Sequence, residues 1–440
     1  MEKRISNWMN KFLSFAGRLQ LIISVLSALH VYWSSVFIIP ARIISDLEAK
    51  MRGFLWSQGT MSRGKAKVSW KTVCVPKYEG GLGIRRIADL NKALMINHIW
   101  SIITDRDSLW VKWIHTYRLK NQSFWAVRVP DNCCWSWRKI LQLRSVVRNF
   151  FWSELGDGSN TFAWYDNWCS WGSLDKLLTP RMIANGGFSL KDKVKDIWVN
   201  NQIAWPSAWV NIYPILNTIR ISINYNARDR IWWRVGNENH EFSAYSVWQA
   251  IRPREEEVDW GKVIWSSHCV PRHAFLMWLV MRGKLLTQDK ILGWDFARRK
   301  TMNMMCCLLC YENIDSHSHL FFECKFSSRV WLLTKKSTSM RNIKPVWSDI
   351  VTWLINHYKA KSIYSILDRL VVAATAYFIW QERNNRSFMN HARPPDCLAE
   401  VILSSVRYKL MSLKLKKTGP VQQILKEWKI YGEDIYDSHG

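Results

Sequence analysis

The sequence predicts a mainly α protein with small β-hairpins, an α+β chain in four parts. A helical N-terminal region comes first, then a small mixed middle, a helical third segment and a helical tail. Three observations carry this. Apolar residues recur at the helical period through the first third and again through the last. The middle instead holds short Trp-rich runs around Gly-containing turns. The 48% hydrophobic and 22% charged residues are an ordinary globular balance, which excludes disorder throughout.

Along the chain, residues 1–130 read as mostly helical. Leu19 to Ala41 carries no Asp, Glu, Lys or Arg and is long enough to cross a bilayer apart from Arg42 at its edge. Its polar Gln20, Ser24 and Ser27 oppose an Ile22, Ile23, Leu26 and Leu29 stripe, which predicts one packed helix, not a membrane span. Pro40 suits a helix start, and Ile43, Ile44, Leu47, Met51, Phe54 and Leu55 follow the helical period. The Gly80-Gly81-Leu82-Gly83 cluster lacks the spacing of a dinucleotide fingerprint and reads as a turn. A further helix starts near Ile87 and runs through Trp100.

In the middle segment, 131–252, Phe151–Leu155 and Thr161–Tyr165 read as two strands around Gly156-Asp157-Gly158. A second hairpin is expected for Ile231–Val235 and Phe242 around Gly236-Asn237, followed by Ser243 as the N-cap of a short helix. Asp157, Asp166 and Asp229 are isolated, and local turn capping accounts for them. In the third segment, 253–345, Pro271 opens a helix carrying Phe275, Trp278 and Met281, and Thr287 caps a short one ending at Gly293. In the tail, 346–440, Leu367, Leu370, Val371, Ala374 and Phe378 form one stripe; Leu398, Ile402, Val406 and Leu410 form another, capped by Asp396.

Charge is unevenly spread. The net charge of +27 divides into +16 over residues 1–150, −2 over 151–259 and +13 over 260–440. Two basic flanks of this size point to a polyanion: RNA or DNA, bound without sequence preference, and not a membrane. The candidate contacts are Arg63, Lys65 and Lys67 in a basic loop, and Lys414, Lys416 and Lys417 in the tail. Among 29 tryptophans a few exposed rings would stack on bases, while most anchor cores.

The constellation that carries chemistry is Cys307-x2-Cys310-x8-His319-x4-Cys324. Zinc takes four N/S donors in a tetrahedron, and three thiolates plus one imidazole leave no position for water. The expected metal is therefore a structural zinc, and the third segment is a zinc-binding domain. Its net −1 charge would be offset by Lys325, Arg329 and the Arg298-Arg299-Lys300 run. Cys306 and His317 are alternative ligands, the first giving a poorer Cys-x3-Cys turn. Positions five apart on a helix diverge by roughly 140°, so the backbone must leave the helix between His319 and Cys324. Catalytic groups are not visible: the sequence has no Asp-Asp pair, no phosphate-binding loop motif and no His-Glu-x-x-His, and no small-molecule substrate is evident. Cys133 and Cys134 read as buried. Ten cysteines are too few for a disulfide scaffold, and the N-terminus has no apolar signal core. An intracellular protein, nuclear or cytoplasmic and neither secreted nor transmembrane, is expected.

Several segments together resemble a known family. Phe15-Ala16-Gly17-Arg18-Leu19-Gln20, Phe54-Leu55-Trp56 and Cys74-x-Pro76 through Gly81-Leu82-Gly83-Ile84 are similar to the region after the palm of plant LINE-type (non-LTR) retrotransposon reverse transcriptases. So are Leu155-Gly156-Asp157-Gly158 through Trp168 and Tyr377 through Asn384. Pro271, Phe275, Trp278, Leu285, Thr287 and Asp289, closed by the Cys/His quartet and Trp331, resemble the zinc-binding domain of those proteins. The resemblance implies that residues 1–130 are thumb-like and that the remainder binds template RNA or target DNA. The palm carboxylates and the ribonuclease H carboxylate set of the family are not found here, so the expectation is a non-catalytic remnant. The competing reading is an interaction scaffold with a solvated basic surface.

Overall fold

A computed structural model describes residues 1–9, 13–56, 66–199, 202–221, 223–293, 306–359 and 362–431. It is mainly helical with small antiparallel sheets, as expected. The chain packs as two compact units. One comprises Met1–Ser27, Leu47–Arg85 and Arg254–Gly440; the other comprises Ala28–Asp46 and Arg86–Pro253. These units cut across the four segments of the sequence reading, because each buries helices from distant parts of the chain.

In the unit built on Arg86–Pro253, the axis is helix Ile87–Ile103, against which Val31–Val36 and Ala244–Ile251 pack. Asn91 is fully enclosed there. Its Nδ2 donates to Ser34 O and Phe37 O, each at 2.7 Å, and its Oδ1 accepts from Ile39 N at 2.8 Å. One amide thus satisfies the carbonyls left open where Val31–Val36 ends. Ser243 Oγ accepts from Ser246 N at 3.0 Å, the predicted N-cap. Ile96, Ile99, Trp137, Phe151 and Trp233 share one core, while Trp164, Trp168, Trp209 and Leu216 belong to a second.

The larger of the two sheets described in this unit runs Phe151–Glu154, Arg230–Val235, Glu238–His240, all antiparallel. The hairpin around Gly236 forms, with that glycine at φ +62°, but its second strand is Glu238–His240 and Phe242 lies beyond it. The hairpin around Gly156-Asp157-Gly158 does not. Phe151–Glu154 pairs with Arg230–Val235, Phe151 opposite Trp233, and the stretch from Gly156 becomes a loop. The cause is Asp229. Its Oδ1 accepts from Gly156 N (2.7 Å) and Gly158 N (2.9 Å), and its Oδ2 from Asn160 N, Thr161 N and Thr161 Oγ1 (3.0, 3.0 and 2.8 Å). Five donors on one carboxylate outbid a strand ladder. Asp157 and Asp166 do cap locally, on Ser159 and Phe162, whereas Asp229 acts across 70 residues of chain. Cys134 is exposed and Cys133 half-buried, so the expected buried pair is not found.

Leu19–Ala41 is not one helix. Phe15–Leu21 runs into a π-helical turn, Ile22–Leu26, and Val31–Val36 is separate. In the unit built on Arg254–Gly440, helix Pro271–Met281 is buried nearly all round and packs on Phe15–Leu21 and Ile363–Phe388. Phe15 stacks on Phe275 at 5.8 Å. Trp278 Nε1 donates to Gly80 O at 2.8 Å, as does Arg282 Nη2. The predicted glycine turn is therefore a docking point for this helix. Gly81 has no alternative, since a Cβ there would lie 1.9 Å from Val75 O.

Helix Ile363–Phe388 is long and apolar enough to cross a membrane by length and composition, but 78% of its apolar window is buried within the protein. It packs against Pro271–Met281, Lys325–Thr334 and Pro395–Met411, and it buries Asp368, Arg369, Glu382 and Arg383. Leu398, Ile402, Val406 and Leu410 point inward from Pro395–Met411 as predicted, with Pro394 rather than Asp396 at the cap position.

Two outcomes follow from buried polar groups. Asp229→Ala strands up to five donors, so urea unfolding should show a loss of about 2–4 kcal/mol, with Asn recovering part of it. His273 is enclosed beside Tyr377, and burial brings its imidazole down to about 3. The unfolded chain then takes up a proton below pH ~6.5 that the folded chain refuses. Stability is full above that pH and falls as pH drops toward 3. Between pH 7 and 5 the wild type should lose about 2 kcal/mol more than His273→Phe, read from urea midpoints.

Candidate metal centre

The Cys-x2-Cys turn precedes a tight reversal. Cys307 N donates to Asn313 O at 2.5 Å, Tyr311 N to Cys307 O at 2.7 Å, and Tyr311 sits at φ +60°. His319 opens a π-helical turn, His319–Glu323, whose backbone breaks at Phe321 (φ −96°, ψ 100°) and Phe322 (φ +78°, ψ −24°). Cys324 is extended at φ −59°, ψ 138° and starts helix Lys325–Thr334. The break between His319 and Cys324 is the one that helical geometry demanded. Leu320, Phe321 and Phe322 are fully buried and fix the turn to the core, Phe322 stacking on Trp347 at 5.8 Å.

As a result the ligand atoms of Cys307, Cys310, His319 and Cys324 all lie within 4.8 Å of one another, with Cys310 Sγ and His319 Nε2 3.3 Å apart. Four donors on a tetrahedral shell of radius ~2.3 Å are about 3.8 Å apart, so the set is close to the spacing that zinc requires. Cys307 and Cys324 are fully buried. A hydrogen bond to Cys324 and burial push the Cys307 thiol up, while the same hydrogen bond brings Cys324 down. Both would hold a zinc ion as thiolates, and four protein donors would complete its shell, so the metal's contribution would be structural.

The alternatives separate cleanly. His317 points elsewhere, its Nε2 paired with Val280 O at 2.9 Å and its ring against Phe321 and Trp347. Cys306 lies outside the cluster, and its carbonyl accepts from Gln288 Nε2 at 2.8 Å. Of the expected charge partners, Lys325 pairs with Glu312 at 2.6 Å and its charge also acts on Cys310, whereas Arg329 pairs with Asp396 at 3.4 Å; Arg298, Arg299 and Lys300 lie outside the described residues.

Further cations reach the metal loop from the end of helix Ile363–Phe388. Arg386 Nη1 donates to Leu308 O and Leu309 O at 3.1 and 3.3 Å, inside the Cys-x2-Cys turn. Glu382, fully buried, accepts from Arg386 Nε at 3.0 Å, Arg393 Nε at 2.9 Å and Arg393 N at 2.8 Å. Those bonds hold its carboxyl below the usual range even though burial alone would raise it. Arg383 Nε meets the buried Asp315 at 2.8 Å, and Asp315 also accepts from Gln288 N. Sequence reasoning missed this support. The signal was present: Glu382, Arg383 and Arg386 continue a helix whose stripe is otherwise apolar, so charges there need buried partners.

Of the basic candidates, Lys414, Lys416 and Lys417 are exposed around buried Leu413 and Leu415. Lys67 is half-buried with its ammonium over the Phe15 ring at 5.4 Å, and burial lowers its pKa. Arg63 and Lys65 lie outside the described residues.

A closed N/S shell held in a helical frame defines a structural metal-binding domain. Residues 242–331 match the family described as zinc-binding in reverse transcriptase, a span that contains all four donors. The chain carries a reverse transcriptase zinc-binding domain. It is also similar to a curated Arabidopsis thaliana protein named as a ribonuclease H protein, with 28% identity over 349 residues. That match covers 76% of this chain and 54% of the relative, so the chain spans about half the length of the curated relative it matches.

Cys310→Ser should lose the metal by elemental analysis and lower the melting temperature, because structural zinc contributes folding free energy. Cys306→Ser should keep the metal. Arg383→Ala should cost about 3–5 kcal/mol by leaving Asp315 charged, buried and unpaired.

Proposed function

We propose that this chain is a non-catalytic nucleic-acid-binding part of a retroelement protein, organised by one structural zinc on Cys307, Cys310, His319 and Cys324. It binds RNA or single-stranded DNA without sequence preference. The observation that carries this is the charge distribution, +16 and +13 flanking a −2 middle. Phosphate is the ligand that such a distribution attracts, and displaced counterions make the binding salt-dependent. Lys414, Lys416 and Lys417 are offered to solvent together, which supports them as one contact cluster. The reverse transcriptase family and the ribonuclease H name of the relative support the same partner class. Action inside the cell fits ten free cysteines, which a reducing compartment maintains.

Fluorescence anisotropy with labelled RNA and single-stranded DNA tests this reading. Affinity should fall with salt at a log–log slope of about −0.7 per phosphate contacted. Changing Lys414, Lys416 and Lys417 together to Gln should weaken all sequences alike and flatten the slope, since phosphate contacts carry no sequence information. Salt-independent binding, or none at low salt, would favour the protein-interaction scaffold. Primer extension and hybrid-RNA cleavage with Mg²⁺ or Mn²⁺ should stay at the level of heat-killed protein; activity would mean that a carboxylate site is present.

A further inference from the structure

The unit built on Arg86–Pro253 contains a cavity of about 870 Å³ that the metal centre and the basic flanks do not use. Its size lies within the ~300–1,000 Å³ range of small-molecule sites. Its lining includes three aromatic rings: Phe124, which is buried, Phe162, whose face the Lys193 ammonium covers at 3.0 Å, and the half-buried Trp125. The rim is cationic, from Lys191, Arg228 and Arg230, with Arg230 lying over Trp232 at 3.8 Å. Of the carboxylates present, Asp229 is saturated by its five donors, and Asp105 lies 3.6 Å from His115. Asp166 is different. Its Oδ2 accepts from Phe162 N at 2.7 Å, and among the described residues its Oδ1 has no hydrogen-bond partner, only the nearby charges of Lys193 and Arg148.

The backbone around the cavity is also unusual. Asp105, Lys120 and Asn121 adopt φ of 46°, 50° and 60° without being glycine. Ile114–Leu119, which supplies His115 and Leu119 to the wall, is a π-helical turn. Non-glycine left-handed residues and π-turns each cost free energy and concentrate at ligand sites. Lys193 lies on the floor with its ammonium over Phe162 at 3.0 Å and bonded to Asn160 O at 3.1 Å. Burial brings that ammonium down to about 8 and the Asp166 carboxyl up to about 6, so both are held at a cost that a ligand would offset.

We propose that this cavity binds one nucleotide unit, its phosphate on Lys191, Arg228 and Arg230 and the donor edge of its base on the Asp166 carboxylate. The cationic rim selects the phosphate, the half-buried Trp125 offers a face for a flat ring, and Oδ1 of Asp166 takes an N–H from it. The unit is a free mononucleotide or the 5′-phosphorylated end of a strand. The site is independent of the flank lysines.

Isothermal titration of the full chain with guanosine 5′-monophosphate, guanosine, ribose 5-phosphate and inorganic phosphate tests this. The monophosphate should bind at least tenfold tighter than guanosine or inorganic phosphate. The double variant Lys191→Gln/Arg228→Gln changes two exposed residues, so its melting temperature should hold while monophosphate affinity falls at least tenfold. Asp166→Asn should weaken the monophosphate but not ribose 5-phosphate. Competition by a 5′-phosphorylated tetranucleotide, but not its 5′-hydroxyl form, would assign a strand end; competition by neither would assign the free nucleotide. Changing Lys414, Lys416 and Lys417 to Gln should leave all of these values unchanged, which separates this site from the flank reading. The proposal is overturned if the double variant binds like wild type, if inorganic phosphate binds as tightly as the monophosphate, or if no binding appears at millimolar concentration.

Discussion

Two buried carboxylates, Asp315 and Glu382, tie the metal loop to helix Ile363–Phe388, and the zinc-binding half of the protein depends on those ties. A charge taken out of water costs several kcal/mol unless it is paired and hydrogen-bonded. Glu382 meets that condition with two guanidiniums and a backbone N–H, and Asp315 with Arg383 and the Gln288 N–H. The pairs do more than repay their own burial. Arg386, held by Glu382, reaches the carbonyls of Leu308 and Leu309, so the turn between two candidate metal ligands is fixed by a helix more than 70 residues away. Outer partners of this kind orient metal ligands and tune their charge. Here they bring positive charge toward a site that carries net −1 once loaded.

The other unit repeats the device without a metal. Asp229 gathers four backbone N–H groups and a hydroxyl from a loop about 70 residues earlier, and so decides which strands pair. Asn91 does similar work for the end of helix Val31–Val36. In each case a polar side chain, buried at Asn91 and half-buried at Asp229, satisfies backbone groups that regular structure leaves open. The cavity lined by Asp166 and Lys193 lies beside the loop that Asp229 holds.

Tryptophan is the apolar counterpart. Trp164, Trp233, Trp278 and Trp331 are among the largest fully buried side chains. Each covers a wide area with few rotatable bonds, which suits units assembled from short helices and two- to six-residue strands. The abundance of tryptophan in this chain is thus first a packing feature, and only rings left at a surface or cavity wall remain for ligands.

Local chemistry made much of this protein legible from its residues alone. The helical stripes, the Ser243 cap, the turn at Gly236 and the donors Cys307, Cys310, His319 and Cys324 all follow from spacings of a few residues. Even the break before Cys324 followed, because 100° per residue cannot bring positions 319 and 324 to one point. Charge sums likewise need no structure. Tertiary packing decided what depends on distant partners. Asp229 overrode a plausible hairpin, the Leu19–Ala41 stretch broke into separate helices, and Lys67 folded onto Phe15 instead of standing in solvent. The apolar Leu320-Phe321-Phe322 run favours His319 over His317 in the sequence, and in the fold the carbonyl of Val280, from another helix, holds the His317 ring away from the metal site. Such outcomes rest on which buried polar group meets which partner, and that pairing exists only once the chain is folded.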